Sequence, residues 1–422
     1  MPLTHKRPWR EEDVTVVRNV AGRGTMIWHG RNVVGLIGGV FEIFEVTEMM
    51  MHTHVERNDA GRRITACSRR QLLRIGAAGS VGLLLAADHP AQSAREMPPH
   101  AKWPRPTLHC YDNYGWLRGF NVVPSWGARI EQAWWDYDPR RFRIEIQLAR
   151  QVHANCIRLW IEFTAWMADP DKVTARFLDA VAALDEAGMK TMPCLFNRWH
   201  NRDGWDYGGT YTEDLDRNWK PKLDYVRSLV APLAADPRVL VWDLCNEPQA
   251  LDQNKPVNIK EHAWLVEVAA TVRQCGAKQP VTIGTMFGKN IEIYAPLCDV
   301  LCAHPYARTP AGLDGAIRSY AALRKAHDKP MLVNECIPGC LDDAKRAALA
   351  RYYVQALPAA GLGWMGWSLR EGKAISTRRD RIDGNGIDGQ GFHAWFTKDG
   401  RLRAGLDFLR EPPRMQPPWE KN

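Results

Sequence analysis

Two short runs carry the side chains best equipped for chemistry. Residues 241–248, VWDLCNEP, end in Asn246 and Glu247, and residues 331–336, MLVNEC, end in Glu335 and Cys336. Each is an apolar stretch that delivers a carboxylate at its C-terminal end. Two carboxyl groups opposed across a cleft can divide the labour of a substitution: one protonates a leaving oxygen while the other, ionised, attacks the carbon. That division needs unequal pKa values, and apolar surroundings raise one of the pair. Tryptophan is plentiful, with 16 of the 18 lying after residue 94. Indole faces either fill a core or stack on the apolar C–H faces of sugar rings.

These runs belong to a longer pattern. Eight apolar segments, WLRGFNVV, CIRLWIEF, KTMPCLFN, VLVWDLCNE, PVTIGTM, DVLCAHPY, PMLVNECI and GWMGWSL, alternate with amphipathic stretches such as Asp171–Gly188, Ile259–Gly276, Gly312–His327 and Asp343–Gly361. Short strands alternating with longer helices predict a parallel sheet covered by helices, and glycine at helix ends fits their C-caps. Eight units predict a (β/α)8 TIM barrel, α/β in class and forming a single catalytic domain over residues 95–422. A doubly wound open sheet would alternate in the same way, but FNVVPSWGAR lacks the phosphate-binding glycine turn expected after its first strand. In such a barrel, chemistry sits at the carboxyl ends of the strands. Glu247 and Glu335 then share one rim, at the ends of the fourth and seventh strands.

With these residues in place the chain resembles glycoside hydrolases of clan A, most closely the broad family 5 group of cellulases and mannanases. The resemblance runs from Tyr114 to near Pro412, and Asn246-Glu247-Pro248 is its most specific motif. It implies that Glu247 is the general acid/base, Glu335 the nucleophile, and Asn246 the holder of the sugar 2-hydroxyl. It further implies that Arg158 orients Glu335 and keeps it ionised, that Tyr306 bonds the nucleophile, that His304 contacts the sugar and that Trp367 forms a platform beneath it. The family retains anomeric configuration, so the carboxylates are expected about 5 to 5.5 Å apart. Where many members carry histidine after the third strand this chain has Asn197, and Cys336 directly after Glu335 is also a departure. The loop from Trp199 to Tyr211 is weakly similar to the Asn-rich loop of mannanases.

Plainer readings exist for each residue alone. Asn246-Glu247-Pro248 in isolation reads as a turn or helix cap, Arg158 as an ion-pair partner of Glu162, and Trp367 as core. Partners at the second, sixth, seventh and eighth strands make the set read as a reaction centre instead. Glu371 lies beyond the eighth strand and is a weaker rival carboxylate. Asp383-Gly-Asn-Gly-Ile-Asp-Gly389 lacks the oxygen side chain and terminal Glu of a calcium loop and reads as a loop closing over the site. No metal, nucleotide or serine-nucleophile motif follows residue 94, so no metal or organic cofactor is expected.

The N-terminus reads as an address. Ser68-Arg69-Arg70-Gln71-Leu72-Leu73-Arg74 precedes an uncharged run from Ile75 to Ala87. This resembles a twin-arginine export signal and is too short to anchor in a membrane. Residues 49–94 therefore form the signal region, starting at Met49, Met50 or Met51. Residues 1–48 read as an over-extended gene start with no defined structure. The expected location is periplasmic or extracellular. Ten cysteines, nine of them after residue 94, cannot all pair internally. Cys156, Cys194, Cys245 and Cys302 suit burial as thiols, whereas Cys298/Cys302 and Cys336/Cys340 are candidates for pairing after export. The net charge of +8 is mild for 422 residues, and without a basic stripe or finger spacing nucleic acid is not an expected partner.

The expected activity is retaining cleavage of a β-linked, chiefly β-1,4, polysaccharide or oligosaccharide. Mannan or glucomannan is preferred to β-glucan, and β-glucan to xylan. A transglycosylase using the same glutamates is the alternative enzyme, and a carbohydrate-binding pseudoenzyme the alternative from another class. A binder, however, has no need of both carboxylates.

Overall fold

The computed structural model describes residues 15–19, 25–29, 32–37, 40–45, 103–127, 129–197, 219–248, 256–286, 288–373 and 392–420. The chain divides into two compact units, Met1–Asp88 and His89–Asn422. In the first, β1 (Thr15–Asn19), β2 (Thr25–His29), β3 (Asn32–Ile37) and β4 (Val40–Glu45) form an antiparallel meander in that order. These strands fall in the segment for which the sequence predicts no structure. The twin-arginine stretch, the loop 199–211 and the loop 383–389 lie outside the described residues.

The second unit holds eight further strands: β5 (Arg118–Val122), β6 (Cys156–Trp160), β7 (Lys190–Cys194), β8 (Trp242–Asn246), β9 (Val281–Gly284), β10 (Leu301–Cys302), β11 (Met331–Leu332) and β12 (Trp364–Gly366). Each falls within one of the eight apolar segments. The parallel ladder runs β12-β5-β6-β7-β8-β9, with β10 and β11 paired separately. Parallel bridges Thr285↔Ala303 and Cys336↔Gly366 join the two sets at both seams, closing the barrel.

Helices cover the outside: α1 (Ile130–Trp135), α2 (Pro139–Arg150), α3 (Phe163–Ala168), α4 (Pro170–Glu186), α5 (Lys220–Val230), α6 (Pro256–Gln274), α7 (Gly288–Tyr294), α8 (Pro310–His327) and α9 (Asp343–Ala359). Their starts are written locally. Asp138, Asp169, Thr309 and Asp342 accept backbone N–H bonds in the first turns of α2, α4, α8 and α9, and proline opens three of the four. Past α4, α6 and α9 come Gly188, Gly276 and Gly361, all at positive φ, where a Cβ would be strained. None of the described helices is long and apolar enough to cross a membrane.

The core has two layers. Between sheet and helices lies one continuous apolar cluster that includes Phe120, Ile157, Trp242, Trp264 and Leu357. Inside the barrel a smaller cluster of Leu117, Cys156, Met192, Leu240, Val241, Val300, Cys302, Leu332 and Met365 rests on Tyr114 and Trp116. Strands buried on both faces read as continuous apolar runs, which is why the eight segments stand out. The cysteines after residue 94 are all free, so the candidate pairs Cys298/Cys302 and Cys336/Cys340 are not formed.

One buried acid belongs to neither layer's apolar logic. Glu162, which caps α3, is 4% exposed, and its Oε2 has no hydrogen-bond partner. Burial, then the charge of Glu131, pushes its pKa from 4.5 up to about 8. Between those values the folded chain keeps a proton that the unfolded chain has released, so stability falls as pH rises from about 4.5 to about 8. Glu162→Gln keeps the cap acceptor and removes the charge. It is expected to be more stable than the parent at pH 8 by a few kcal/mol, on the order of one per pKa step, with the gap closing toward pH 5. Urea midpoints at both pH values read this, and a gap that ignores pH refutes it.

Candidate active site

The strand ends converge on one buried cation. Arg158, in the middle of β6 and 0% exposed, points into the barrel and spends its guanidinium on five side chains, the Cys194 sulfur at 3.5 Å from Nη2 among them. Nε and Nη2 donate to Asp243 Oδ2 at 2.8 and 2.6 Å, and Nη1 donates to Glu335 Oε2 at 2.8 Å. Nη1 also donates to Asn121 Oδ1, and Nη2 to Asn246 Oδ1, both at 2.9 Å. Burial opposes its charge, but Asp243 and Glu335 hold the guanidinium above its ordinary pKa. A buried charge persists only when paired and hydrogen-bonded in this way. The alternative pairing of Arg158 with Glu162 is not formed; Glu162 faces Thr164 and Glu131.

Asp243 and Asn246 are three apart, so regular alternation would send them to opposite faces of β8. The register between β8 and β9 shifts between these two residues, and that irregularity brings both onto Arg158. Glu247 follows with φ at +49°, its N–H held by the Gly284 carbonyl at 2.8 Å. For a residue with a Cβ this left-handed conformation costs energy, and it re-aims the carboxylate at the strand's end. Asn246 Nδ2 donates to Asn197 Oδ1 at 3.2 Å, so Asn197 supports the site through Asn246.

Glu335 is held at both oxygens. Arg158 takes Oε2, and the Tyr306 hydroxyl donates to Oε1 at 2.7 Å. Burial, followed by the charges of Glu335 and Glu247, raises the Tyr306 pKa well above its usual value, so it remains a neutral donor. His304 bridges the two glutamates. Its Nδ1 lies 2.8 Å from Glu247 Oε1 and 3.8 Å from Glu335 Oε1, and its Nε2 lies 2.8 Å from Asn334 Oδ1. The Asn334 amide is oriented by donating from Nδ2 to Asp243 Oδ2 at 2.9 Å, while the Cys302 thiol donates to its Oδ1. Both imidazole nitrogens therefore face acceptors. Burial disfavours the imidazolium, yet Glu335 and Glu247 outweigh it and raise the His304 pKa. One carboxylate oxygen from each of Glu247 and Glu335 and a His304 ring nitrogen lie within 4.8 Å of one another.

Gly284 makes room for this bridge. A Cβ there would meet His304 Nε2 at 2.4 Å and Asn334 Oδ1 at 3.0 Å. Gly284→Ala is expected to displace the histidine, destabilising the fold by about 1–3 kcal/mol and cutting kcat by about 100-fold. Thermal unfolding together with turnover checks it, and unchanged turnover would show that the His304 position is not critical.

Trp367, 6% exposed, packs against Trp160 with ring centroids 4.9 Å apart. Thus Glu247, Glu335, Arg158, Asn246, Asn197, His304 and Tyr306 form one connected network, and Trp367 joins it through Trp160, whose Nε1 donates to Asn121 Oδ1. Glu371 stands apart, with its N–H on the Phe396 carbonyl and Arg403 3.9 Å from its carboxylate. Cys336 turns away from the site: its buried thiol faces the Met365 carbonyl, and burial raises its pKa well above normal. Asn121, Asp243 and Asn334 are the members that the motifs do not single out. The available signal was polarity at inward positions of otherwise apolar strands.

The arrangement gathers two buried carboxylates about one histidine, one of them hydrogen-bonded to a guanidinium and a tyrosine hydroxyl. Comparisons with known proteins give the family and the fold. A probable mannan endo-1,4-β-mannosidase C from Aspergillus terreus is 24% identical over 258 residues, covering 51% of this chain and 63% of the relative. The chain thus spans less than two thirds of that relative's length. An exo-β-1,4-mannosidase from Opitutaceae bacterium strain TAV5 superposes with a TM-score of 0.57 at 17% identity, over 73% of this chain and 61% of that one. A GH5_18 protein from Streptomyces cattleya, solved with GlcNAc, gives 0.54 at 16% identity, over 72% and 82%. These structures share the fold. The profile described as Cellulase (glycosyl hydrolase family 5) matches residues 128–373, more than half of the chain, and the chain therefore belongs to glycosyl hydrolase family 5.

Proposed function

We propose that the protein hydrolyses β-1,4-linked mannan or glucomannan with retention of anomeric configuration, using Glu335 as nucleophile and Glu247 as general acid/base. The observation that carries this reading is the pair of buried carboxylates with oxygens within 4.8 Å of each other, held by unlike partners. Glu335 is clamped between Arg158 and Tyr306, whose hydrogen bonds to its two oxygens fix the direction of the carboxylate. Glu247 faces a histidine nitrogen, through which a proton can be stored and returned. So close a pair suits direct attack by one carboxylate, since an inverting pair, about 6.5 to 9.5 Å apart, leaves room for a water between them.

In the first displacement Glu335 bonds to the anomeric carbon, and the glycosidic oxygen leaves with the proton of Glu247. In the second, water gives its proton to Glu247 and displaces Glu335, restoring both groups. In this reading Asn246 bonds the sugar 2-hydroxyl and Trp367 supports the ring. Mannan is favoured over β-glucan and xylan because the fungal relative and the Opitutaceae neighbour bear mannosidase names.

The experiment is reducing-end release from mannan, glucomannan, a soluble cellulose derivative and xylan, with NMR of the first-formed anomer. Release from mannan or glucomannan as the β-anomer is expected. An α-anomer product would overturn double displacement, and release confined to xylan would overturn the sugar assignment.

A further inference from the structure

Asn334 stands one residue before Glu335, just past β11, and is fully buried. Its carboxamide touches three strands. Nδ2 donates to Asp243 Oδ2 of β8 at 2.9 Å and to the Met192 sulfur of β7 at 3.5 Å. Oδ1 accepts from the Cys302 thiol of β10 at 2.9 Å and lies 2.8 Å from His304 Nε2. The backbone is tethered as well, because the Asn334 carbonyl accepts from Asn121 Nδ2 at 2.9 Å.

These bonds leave the amide one orientation. Asp243 Oδ2 already accepts from Nε and Nη2 of Arg158, so the Asn334 atom that faces it has to be the donor. Both Nδ2 protons are then committed, one to a carboxylate and one to a thioether, and Oδ1 is the atom turned to the imidazole. A carboxamide oxygen can only accept. The opposing His304 Nε2 must therefore carry a proton, since two lone pairs at that distance repel and leave two buried acceptors unsatisfied. Fixing one ring nitrogen fixes the other. That other nitrogen, Nδ1, lies 2.8 Å from Glu247 Oε1. The charges of Glu247, Glu335 and Arg158 act on the ring, Cys302 and Asp243 reach it through Asn334, and Gly284 of β9, against Nε2, brings no side chain.

We propose that Asn334 is a positioning residue that holds His304 in the Nε2–H tautomer, so that Nδ1, the nitrogen turned to Glu247, is the only ring atom that gains or loses a proton. The proposal rests on reading Glu247 as the acid/base. In the opposite tautomer an Nδ1–H would be a permanent donor to Glu247 and would favour its carboxylate form, which has no proton for a leaving oxygen. With Nε2 tied to Asn334, one proton is held between Glu247 Oε1 and His304 Nδ1. It passes to the glycosidic oxygen in the first displacement, and water returns one in the second.

NMR of the full chain labelled with 15N-histidine reads the tautomer without turnover, and so apart from the hydrolase reading. The His304 signals are identified by their loss in His304→Gln. Nε2 is expected to stay protonated at every pH at which the chain is folded, and deprotonation of the ring is expected at Nδ1. An Nε2 without its proton, or a ring doubly protonated throughout, overturns the proposal. Asn334→Leu, similar in size but without the acceptor, is expected to lower kcat on a mannooligosaccharide about tenfold or more. It should spare the glycosylation step of a dinitrophenyl mannoside, whose leaving group needs no proton. Equal losses on the two substrates would show that Asn334 only supports the fold, and they also overturn the proposal. Thermal unfolding confirms that the variant is folded, and the parent's own spectrum decides the tautomer if it is not.

Discussion

Glu335→Ala is expected to lower kcat/KM on a β-1,4-mannooligosaccharide by about 10⁵-fold, roughly 7 kcal/mol of transition-state stabilisation. The side chain meets the anomeric carbon in the proposed first step, and neither Arg158 nor Tyr306, its two hydrogen-bond donors, can substitute for it. Added azide should restore turnover in this variant and give the α-glycosyl azide, because one displacement inverts where two retain. Glu247→Ala should behave differently. Its loss, about 10²–10⁴-fold on an alcohol leaving group, should nearly vanish for the glycosylation step of a dinitrophenyl glycoside, which departs without protonation. Pre-steady-state release of dinitrophenol from the two variants separates the roles. If Glu335→Ala keeps activity or Glu247→Ala loses the dinitrophenol burst, the assignments are exchanged or wrong.

Arg158→Met should have the largest effect on the fold. The arginine is fully buried and in contact with both Asp243 and Glu335. Removing it leaves two carboxylates inside the barrel without their cation, and breaking a buried pair in this way costs about 3–5 kcal/mol. For a domain of this size that is on the order of 10 °C in the unfolding midpoint. Arg158→Lys keeps the charge but cannot serve Asp243, Asn121, Asn246 and Glu335 together, because an ammonium lacks the planar fork. It should recover part of the stability and little of the turnover. Calorimetric midpoints and kcat for both variants test this. A lysine variant with full turnover would show that only the charge of Arg158 matters.

Much of the site was legible in the sequence because barrel geometry turns local order into spatial order. A residue at the end of a parallel strand lies on the mouth whichever strand it ends, so Glu247, His304, Tyr306, Glu335 and Trp367 could be placed together from eight apolar runs. Helix ends were legible for the same local reason, with Gly closing them, whereas three starts, at Pro170, Pro256 and Pro310, precede the Asp171, Ile259 and Gly312 read from periodicity. The layer beneath was not. Asn121 and Asp243 sit inside strands and Asn334 just past β11, where one polar residue in an apolar run does not reveal its partner. Asn334 is met by Cys302 of β10, by His304 just beyond it and by Asp243 of β8. Asn197 could be placed at the rim, but its bond to Asn246 could not.

By itself the sequence determined the element order, the closed (β/α)8 architecture and the two carboxylates at the strand ends. These follow from hydrophobic period and capping chemistry, which act over a few residues. Only the tertiary structure decided how those carboxylates are used. The register shift that turns Asp243 and Asn246 to one side, the left-handed backbone at Glu247 and the empty Cβ position at Gly284 all depend on neighbouring strands. So does the choice of Asp243 and Glu335, rather than Glu162, as the anions of Arg158. A buried charge settles where the sum of its partners offsets desolvation, and that sum is taken over residues far apart in the chain.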